Sequence, residues 1–337
     1  MGGRHVFALL GLLAAGAFAV APDGLRGASA AAPGECTPES IGLARTIEID
    51  TKGGPRFGEN QYHGQSPLQD HEVVLTFDDG PHKTLTPVIL DALDAHCTKA
   101  TFFMVGQRAL SYPAMVRTVA GRGHTIATHT WTHQDLAKLE HDAAINEIEL
   151  GISAVQKALG APAAPFFRFP YLSNPKEMAA HLRERNTAIF SIDVDSLDFK
   201  TRSSTAVIRK VMKGLEAKGK GIILFHDIQP STAGALKTLL AELKDKGFKV
   251  VHIVPKQGQT TLAEYDKKVG QKSTGKIASL PVPMAQRGIV SPAWEVQVYR
   301  GDRRSNPADA DSRPPAPERP ARRRVDDDWQ TRLFRGW

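Results

Sequence analysis

The chain has 337 residues, 41% of them hydrophobic and 23% charged, with two cysteines and a formal net charge of +7. These are the proportions of an ordinary soluble globular protein, with apolar material for one large α/β domain plus appendages or for two small domains. The mild positive charge suits anionic surfaces such as cell wall or membrane; with no helix-turn-helix, zinc finger or aromatic-interleaved basic stripe, nucleic acid is not expected as a partner.

In chain order, Arg4 and His5 precede an apolar run from Val6 to Ala21 and the small residues Ala28-Ser29-Ala30. This is the pattern of a secretory signal peptide over residues 1–30, and the apolar run is shorter than the roughly 20 residues a spanning helix needs. An exported protein, periplasmic or secreted, with no stable membrane span after cleavage is therefore expected. Export makes the two cysteines, Cys36 and Cys97, a candidate disulfide that pins an N-terminal extension, residues 31–69, onto the domain behind it. Gly53-Gly54-Pro55 reads as a turn, since no Lys-Ser/Thr helix start follows it.

From residue 71 short apolar runs alternate with amphipathic stretches. The runs are Val73–Phe77, Ala100–Val105, Thr125–His129, Phe166–Pro170, Ala188–Asp193, Ile222–His226 and Val250–Val254. None shows polar alternation, as expected of parallel strands covered on both faces. Helix starts are marked at Thr86-Pro87, Tyr112-Pro113 and Asn174-Pro175. The longest spacer places Ile145, Ile148, Ile152, Val155 and Leu159 at helical spacing and stops at Gly160. Seven strand–helix units predict an α/β domain over residues 70–255 whose parallel sheet closes into a distorted (β/α) barrel of about seven strands. The competing architecture is an open doubly wound sheet. The barrel is preferred because polar groups stand at the C-terminal ends of at least five strands, which a barrel gathers on one face. Beyond Pro255, residues 256–337 read as a low-complexity tail, with Arg313-Pro314-Pro315-Ala316-Pro317 and Arg322-Arg323-Arg324 unable to bury a core. No repeat or heptad specifies an oligomer.

The strand-end groups are Asp78 with Asp79, His129 with His133, Arg168 with Tyr171, Asp195 with Asp198, and His226 followed by Asp227. An Asp and two His form a three-ligand set of the kind catalytic zinc uses, leaving a coordination position for water. A second carboxylate beside them can serve as a base. A glycosidase pair needs its carboxyls about 5–9 Å apart across a bond, which adjacent residues supply poorly.

Thr76-Phe77-Asp78-Asp79-Gly80, His129-Thr130-x-x-His133, Phe167-Arg168-x-Pro170-Tyr171, Asp195-x-x-Asp198 and Leu224-x-His226 together resemble the five motifs of the polysaccharide deacetylases, the NodB-homology or carbohydrate esterase family four enzymes. The resemblance implies a divalent metal, zinc foremost with Co2+ or another ion as alternatives, on Asp79, His129 and His133. It implies Asp78 as base, His226 as the acid for the leaving amine, and the backbone N–H of Tyr171 as oxyanion donor. Arg168 is expected to brace Asp78, and Asp195 or Asp198 to orient His226. Leu224, Phe199 and Pro170 are expected to line the substrate pocket. Phe199 stands where the family commonly has Trp, and Phe169 and Leu172 replace its frequent Pro and Gly, which alters the groove wall. The expected activity is deacetylation of an N-acetylated glycan, peptidoglycan or chitin-like N-acetylglucosamine chains; an O-acetyl xylan esterase and an inert glycan-binding barrel are the alternatives.

Overall fold

In the computed structural model the residues described are 36–64 and 66–274, together with the isolated Gly2. The signal-peptide reading and the tail beyond residue 274 lie outside them. The strands are β1 (Arg45–Ile49), β2 (Arg56–Phe57), β3 (Glu72–Asp78), β4 (Thr101–Met104), β5 (Thr125–Thr128), β6 (Phe166–Phe167), β7 (Ala188–Phe190), β8 (Val194–Asp195), β9 (Gly221–His226) and β10 (Lys249–Pro255). The helices are α1 (Leu85–Ala95), α2 (Gly106–Ser111), α3 (Pro113–Gly121), α4 (His141–Leu159), α5 (Lys176–Glu184), α6 (Ser204–Lys218), α7 (Pro230–Asp245) and α8 (Ala263–Thr274).

The sheet runs β8-β9-β3-β4-β5-β6-β7-β2, and every ladder among the described residues is parallel. This is the NodB-type α/β arrangement expected, with one exchange of strands. The run Val250–Val254 does form a parallel strand, β10, but it pairs with β1 and only with Glu72 and Val73 of β3. The reason is occupancy: β9 holds one edge of β3 from Val73 to Asp78 and β4 takes the other from Thr76. The short β8, hidden in the sequence, pairs with β9 instead.

Strand β3 shows how the fold aims its chemistry. Successive side chains of a strand face opposite sides. Val73, Leu75 and Phe77 join the cluster made with Ile89 and Leu93 of α1, Val211 of α6 and Leu236 and Leu240 of α7. Val74 joins the other cluster, with Phe103, Ala127, Phe166, Phe190 and Ile222. Thr76 and Asp78 share the parity of Val74, so they project into the interior above that plug. The inner cluster fills the lower barrel and leaves the polar groups its C-terminal mouth.

The N-terminal extension is built into the fold. Cys36 and Cys97 are disulfide-bonded across 61 residues of sequence, with Cα atoms 5.7 Å apart; closing a loop of that length removes unfolded-chain entropy worth roughly 4 kcal/mol. The segment after Pro255, assigned above to the tail, starts with structure: α8 seats Tyr265 and Val269 on Leu150 and Ala154 of α4. Two such anchors, each worth roughly 1.5–3 kcal/mol when buried, suffice to dock an otherwise polar helix. No helix among the described residues is long and apolar enough to cross a membrane.

Candidate functional site

The site begins where β3 ends. Asp78 is the last strand residue and keeps its inward aim, accepting a hydrogen bond from Arg168 Nη1 at 2.6 Å. Asp79 takes φ = 75°, a left-handed conformation that redirects the chain and separates the two carboxylates. Its Oδ1 lies 3.2 Å from His133 Nε2 and 3.5 Å from His129 Nε2. The next position must be glycine, because a Cβ on Gly80 would stand 2.1 Å from the carboxylate of Asp227.

The histidines flank a loop after β5 that is tied down on three sides. Gly106 N–H donates to Thr130 O at 2.9 Å and Gln107 N–H to Trp131 O at 3.1 Å. Both oxygens of the buried Glu147 on α4 accept from Thr132, one from the backbone N–H and one from the hydroxyl, each at 2.8 Å. One turn further along α4, Gly151 lets the loop press in; its missing Cβ would meet the Thr130 carbonyl carbon at 2.5 Å. Thr130 and His133 both adopt positive φ, 64° and 66°. His133 N–H closes the turn onto Thr130 Oγ1 at 3.0 Å.

His129 has a fixed tautomer. Its Nδ1 lies 2.7 Å from the carbonyl of Arg168; a carbonyl only accepts, so Nδ1 carries the proton and Nε2 presents a lone pair. Burial first, then the neighbouring His133, push its pKa down to about 3, leaving the ring neutral across the physiological range. Burial by itself would raise the Asp79 carboxyl, but His133, followed by His226, holds it well below the usual carboxylate range.

Asp79, His129 and His133 offer ligand atoms that all lie within 4.8 Å of one another, and all three residues are buried. Ligand atoms on a tetrahedral zinc stand roughly 3.3–3.6 Å apart, close to the 3.2 and 3.5 Å measured. Asp79 Oδ1 is buried with no hydrogen-bond partner, a costly condition for an anionic oxygen unless a cation pairs it. The donor set, one carboxylate and two imidazoles, suits a divalent ion of the zinc type.

Beside this centre, Arg168 is fully buried and donates from all three of its guanidinium nitrogens. It donates to Asp78 Oδ1, to Thr76 Oγ1 at 2.9 Å, to Phe190 O at 3.2 Å and to Ser191 O at 3.1 Å, and stacks 4.3 Å from the Phe103 ring centre. The brace does not win outright: burial raises the Asp78 carboxyl to about 6 although Arg168 pulls it down. On the adjacent strand β9, His226 is the register partner of Asp78. Its Nδ1 lies 2.7 Å from Asp198 Oδ1, and its own N–H donates to Asp198 Oδ2 at 2.7 Å. Burial would lower this imidazole, but the charge and hydrogen bond of Asp198, joined by the charges of Asp79 and Asp78, together outweigh it and lift the pKa to about 10.

Of the two carboxylates considered for orienting His226, Asp198 is in place; Asp195 turns to its own loop and accepts from Leu197 N–H at 2.9 Å. Thr232 Oγ1 also donates to Asp198. Tyr171 has φ = 59° and its ring lies edge-on to His133 at 4.8 Å. Phe199 stands edge-on to His226 at 5.5 Å, Leu224 shares the inward parity of His226 on β9, and Pro170 is buried at the turn that carries Tyr171. His82, which follows the first motif, uses Nδ1 to accept from Leu85 N–H at 3.1 Å and so caps α1. Glu147, Thr232 and the Thr86–Asp227 contact at 2.6 Å escaped the sequence reading. Glu147 lies inside a helical run where nothing distinguishes it from a surface acid.

The sequence profile of the polysaccharide deacetylases matches residues 65–188. A peptidoglycan-N-acetylglucosamine deacetylase of Bacillus cereus is 34% identical over 204 residues, covering 59% of this chain and 73% of that protein. The chain belongs to the polysaccharide deacetylase family. A peptidoglycan-N-acetylglucosamine deacetylase of Listeria monocytogenes is 36% identical over 184 residues, 54% of this chain, which spans only 38% of that relative's length. Among solved structures, a Bdellovibrio bacteriovorus peptidoglycan deacetylase superposes with a TM-score of 0.58 at 35% identity, covering 63% of this chain and 59% of that one.

Proposed function

We propose that the protein is an exported, metal-dependent hydrolase that removes acetyl groups from an N-acetylated polysaccharide, peptidoglycan or a chitin-like N-acetylglucosamine chain. The observation that carries the reading is the juxtaposition of a buried Asp79–His129–His133 ligand set with an uncoordinated carboxylate, Asp78, and a paired histidine, His226, at the register position opposite. A divalent cation, zinc foremost, would be held by Asp79, His129 and His133 and would supply Lewis-acid polarisation and a water nucleophile at neutral pH.

Asp78 takes the proton of the attacking water. Its raised value, about 6, is that of a base matched to neutral pH. Arg168 fixes its orientation by the bond to Oδ1 and leaves Oδ2 on the side of His129, 3.8 Å from Nε2. Tyr171 N–H is the proposed donor to the developing oxyanion. His226 gives its proton to the leaving amine from the opposite side, and Asp198 keeps that proton present through the neutral range. Leu224, Phe199 and Pro170 are the proposed walls around the acetyl group and sugar. The peptidoglycan-deacetylase names of the Bacillus and Listeria relatives support an N-acetylated cell-wall glycan as the substrate class.

The test is acetate release by the zinc-loaded protein from chitin oligomers, peptidoglycan and acetylated xylan in parallel. Release from the N-acetylated substrates is expected. Release from xylan alone would move the assignment to ester hydrolysis, and no release from any would contradict it.

A further inference from the structure

The barrel ladder is interrupted between β7 and β8 among the described residues, and the N-terminal extension fills that seam. β2 pairs with β7, Arg56 opposite Ile189 and Phe57 opposite Phe190. Ser191 N–H donates to Phe57 O at 2.7 Å, Asn60 N–H to Ile192 O at 3.0 Å, and Glu59 N–H to Asp193 Oδ1 at 2.7 Å. Gly58, at φ = 98°, approaches so closely that a Cβ would lie 2.5 Å from the Ser191 carbonyl carbon. The strap is thus hydrogen-bonded to β7 and to the Ser191–Asp193 segment that leads from it into β8.

The inner side of the same seam is part of the site. Phe190 O and Ser191 O, directly behind the strap, are acceptors of Arg168 Nε and Nη2. The strap then continues to the turn that carries Tyr171. Gln61 Nε2 donates to Leu172 O, and Tyr62 packs on the cluster containing Leu136 and Phe169. Tyr171 and Leu172 are consecutive left-handed residues, φ = 59° and 55°. Non-glycine residues hold that conformation only where their surroundings over-determine it. The turn's own bonds, Leu172 N–H to Phe169 O and Ser173 N–H to Pro170 O, both at 3.1 Å, close it locally but leave the Leu172 carbonyl to Gln61.

We propose that residues 56–62 are a working part of the site and that Gln61 is a positioning residue for the reaction, fixing the Leu172 carbonyl and through it the backbone of Tyr171. The segment precedes residues 65–188, the span matched by the family profile, so this support is added from outside the matched region. The inference rests on the proposed role of the Tyr171 backbone. Gln61→Glu is the sharpest probe: it keeps size and replaces the donor facing a carbonyl with an acceptor.

In the full zinc-loaded chain, Gln61→Glu should lower kcat for acetate release from an N-acetylglucosamine oligomer roughly tenfold, with KM within about twofold, as a misplaced reacting geometry does. Amide hydrogen exchange over residues 170–173 should quicken, while exchange over 129–133 and zinc affinity stay at wild-type values. Gly58→Ala should likewise lower kcat and quicken exchange over 190–192. Unchanged exchange over 170–173, or quickened exchange with unchanged kcat, would overturn the positioning role. A wild type that releases no acetate, with the variant still loosening 170–173, would sink the proposed reaction while the structural tie from Gln61 stood.

Discussion

The two halves of the mouth are built in different ways. On the β3–β5 side, Asp79, His129 and His133 are buried and their directions are set by backbone geometry: three positive-φ residues, Asp79, Thr130 and His133, and a loop bonded to Gly106, Gln107 and Glu147. On the β9 side, His226 keeps 13% of its side chain open and is oriented by a hydrogen-bonded charged partner, Asp198. The first half resists adjustment, as a ligand set must to hold ions of one geometry. The second keeps access to a proton and to a leaving group. In the proposed reaction this pairs a rigid cation-holding half with a tunable proton-donating half, and substitutions should respond accordingly.

Of the substitutions that leave the cation ligands in place, His226→Ala is expected to have the largest effect. It should lower kcat by roughly 10²–10⁴-fold, the worth of a general acid, while zinc affinity in a direct titration stays unchanged. Loss of zinc binding in that variant would erase the division between the halves. Glu147→Ala should do the converse. It removes both acceptors of Thr132 from the loop between the ligands, and zinc affinity should fall roughly 10–100-fold, the usual cost of a lost outer partner. Wild-type affinity would show that Gly106 and Gln107 hold the loop alone.

The smallest expected effect at neutral pH is on the tunable side. His226 holds its proton below its raised value, so kcat/KM that depends on that proton is sustained through neutrality and falls as pH rises through about 10. In Asp198→Asn the main charge that raises it is gone, and only the charges of Asp79 and Asp78 are left to oppose burial. The alkaline limb should then move down from about 10 towards neutrality. An alkaline limb that stays in place would assign it to another group.

The difference between the halves also separates what was legible in sequence. The strands that carry the site are long apolar runs covered on both faces, and their ends announce themselves as Asp78-Asp79, His129 to His133 and His226. The fold class follows from their alternation with helices. Strands β2 and β8, two residues each and, unlike the equally short β6, not at the head of an apolar run, carry too little pattern to read. Strand β1 alternates partly exposed and exposed residues, like any edge segment. The choice between Asp195 and Asp198 depended on the left-handed Leu197, whose φ of 50° turns the chain between them. Glu147 and Gln61 act through loops distant in sequence, 15 and 111 residues away, which no local pattern encodes.

The central claim is that adjacent carboxylates divide the work, Asp79 to the cation and Asp78 to the proton. Zinc titration and acetate release should be measured side by side on Asp78→Asn and Asp79→Asn. The account predicts that Asp78→Asn binds zinc as the wild type does and turns over at least roughly 10²-fold more slowly, whereas Asp79→Asn loses both zinc and turnover. Wild-type turnover in Asp78→Asn, or undiminished zinc binding in Asp79→Asn, would contradict it.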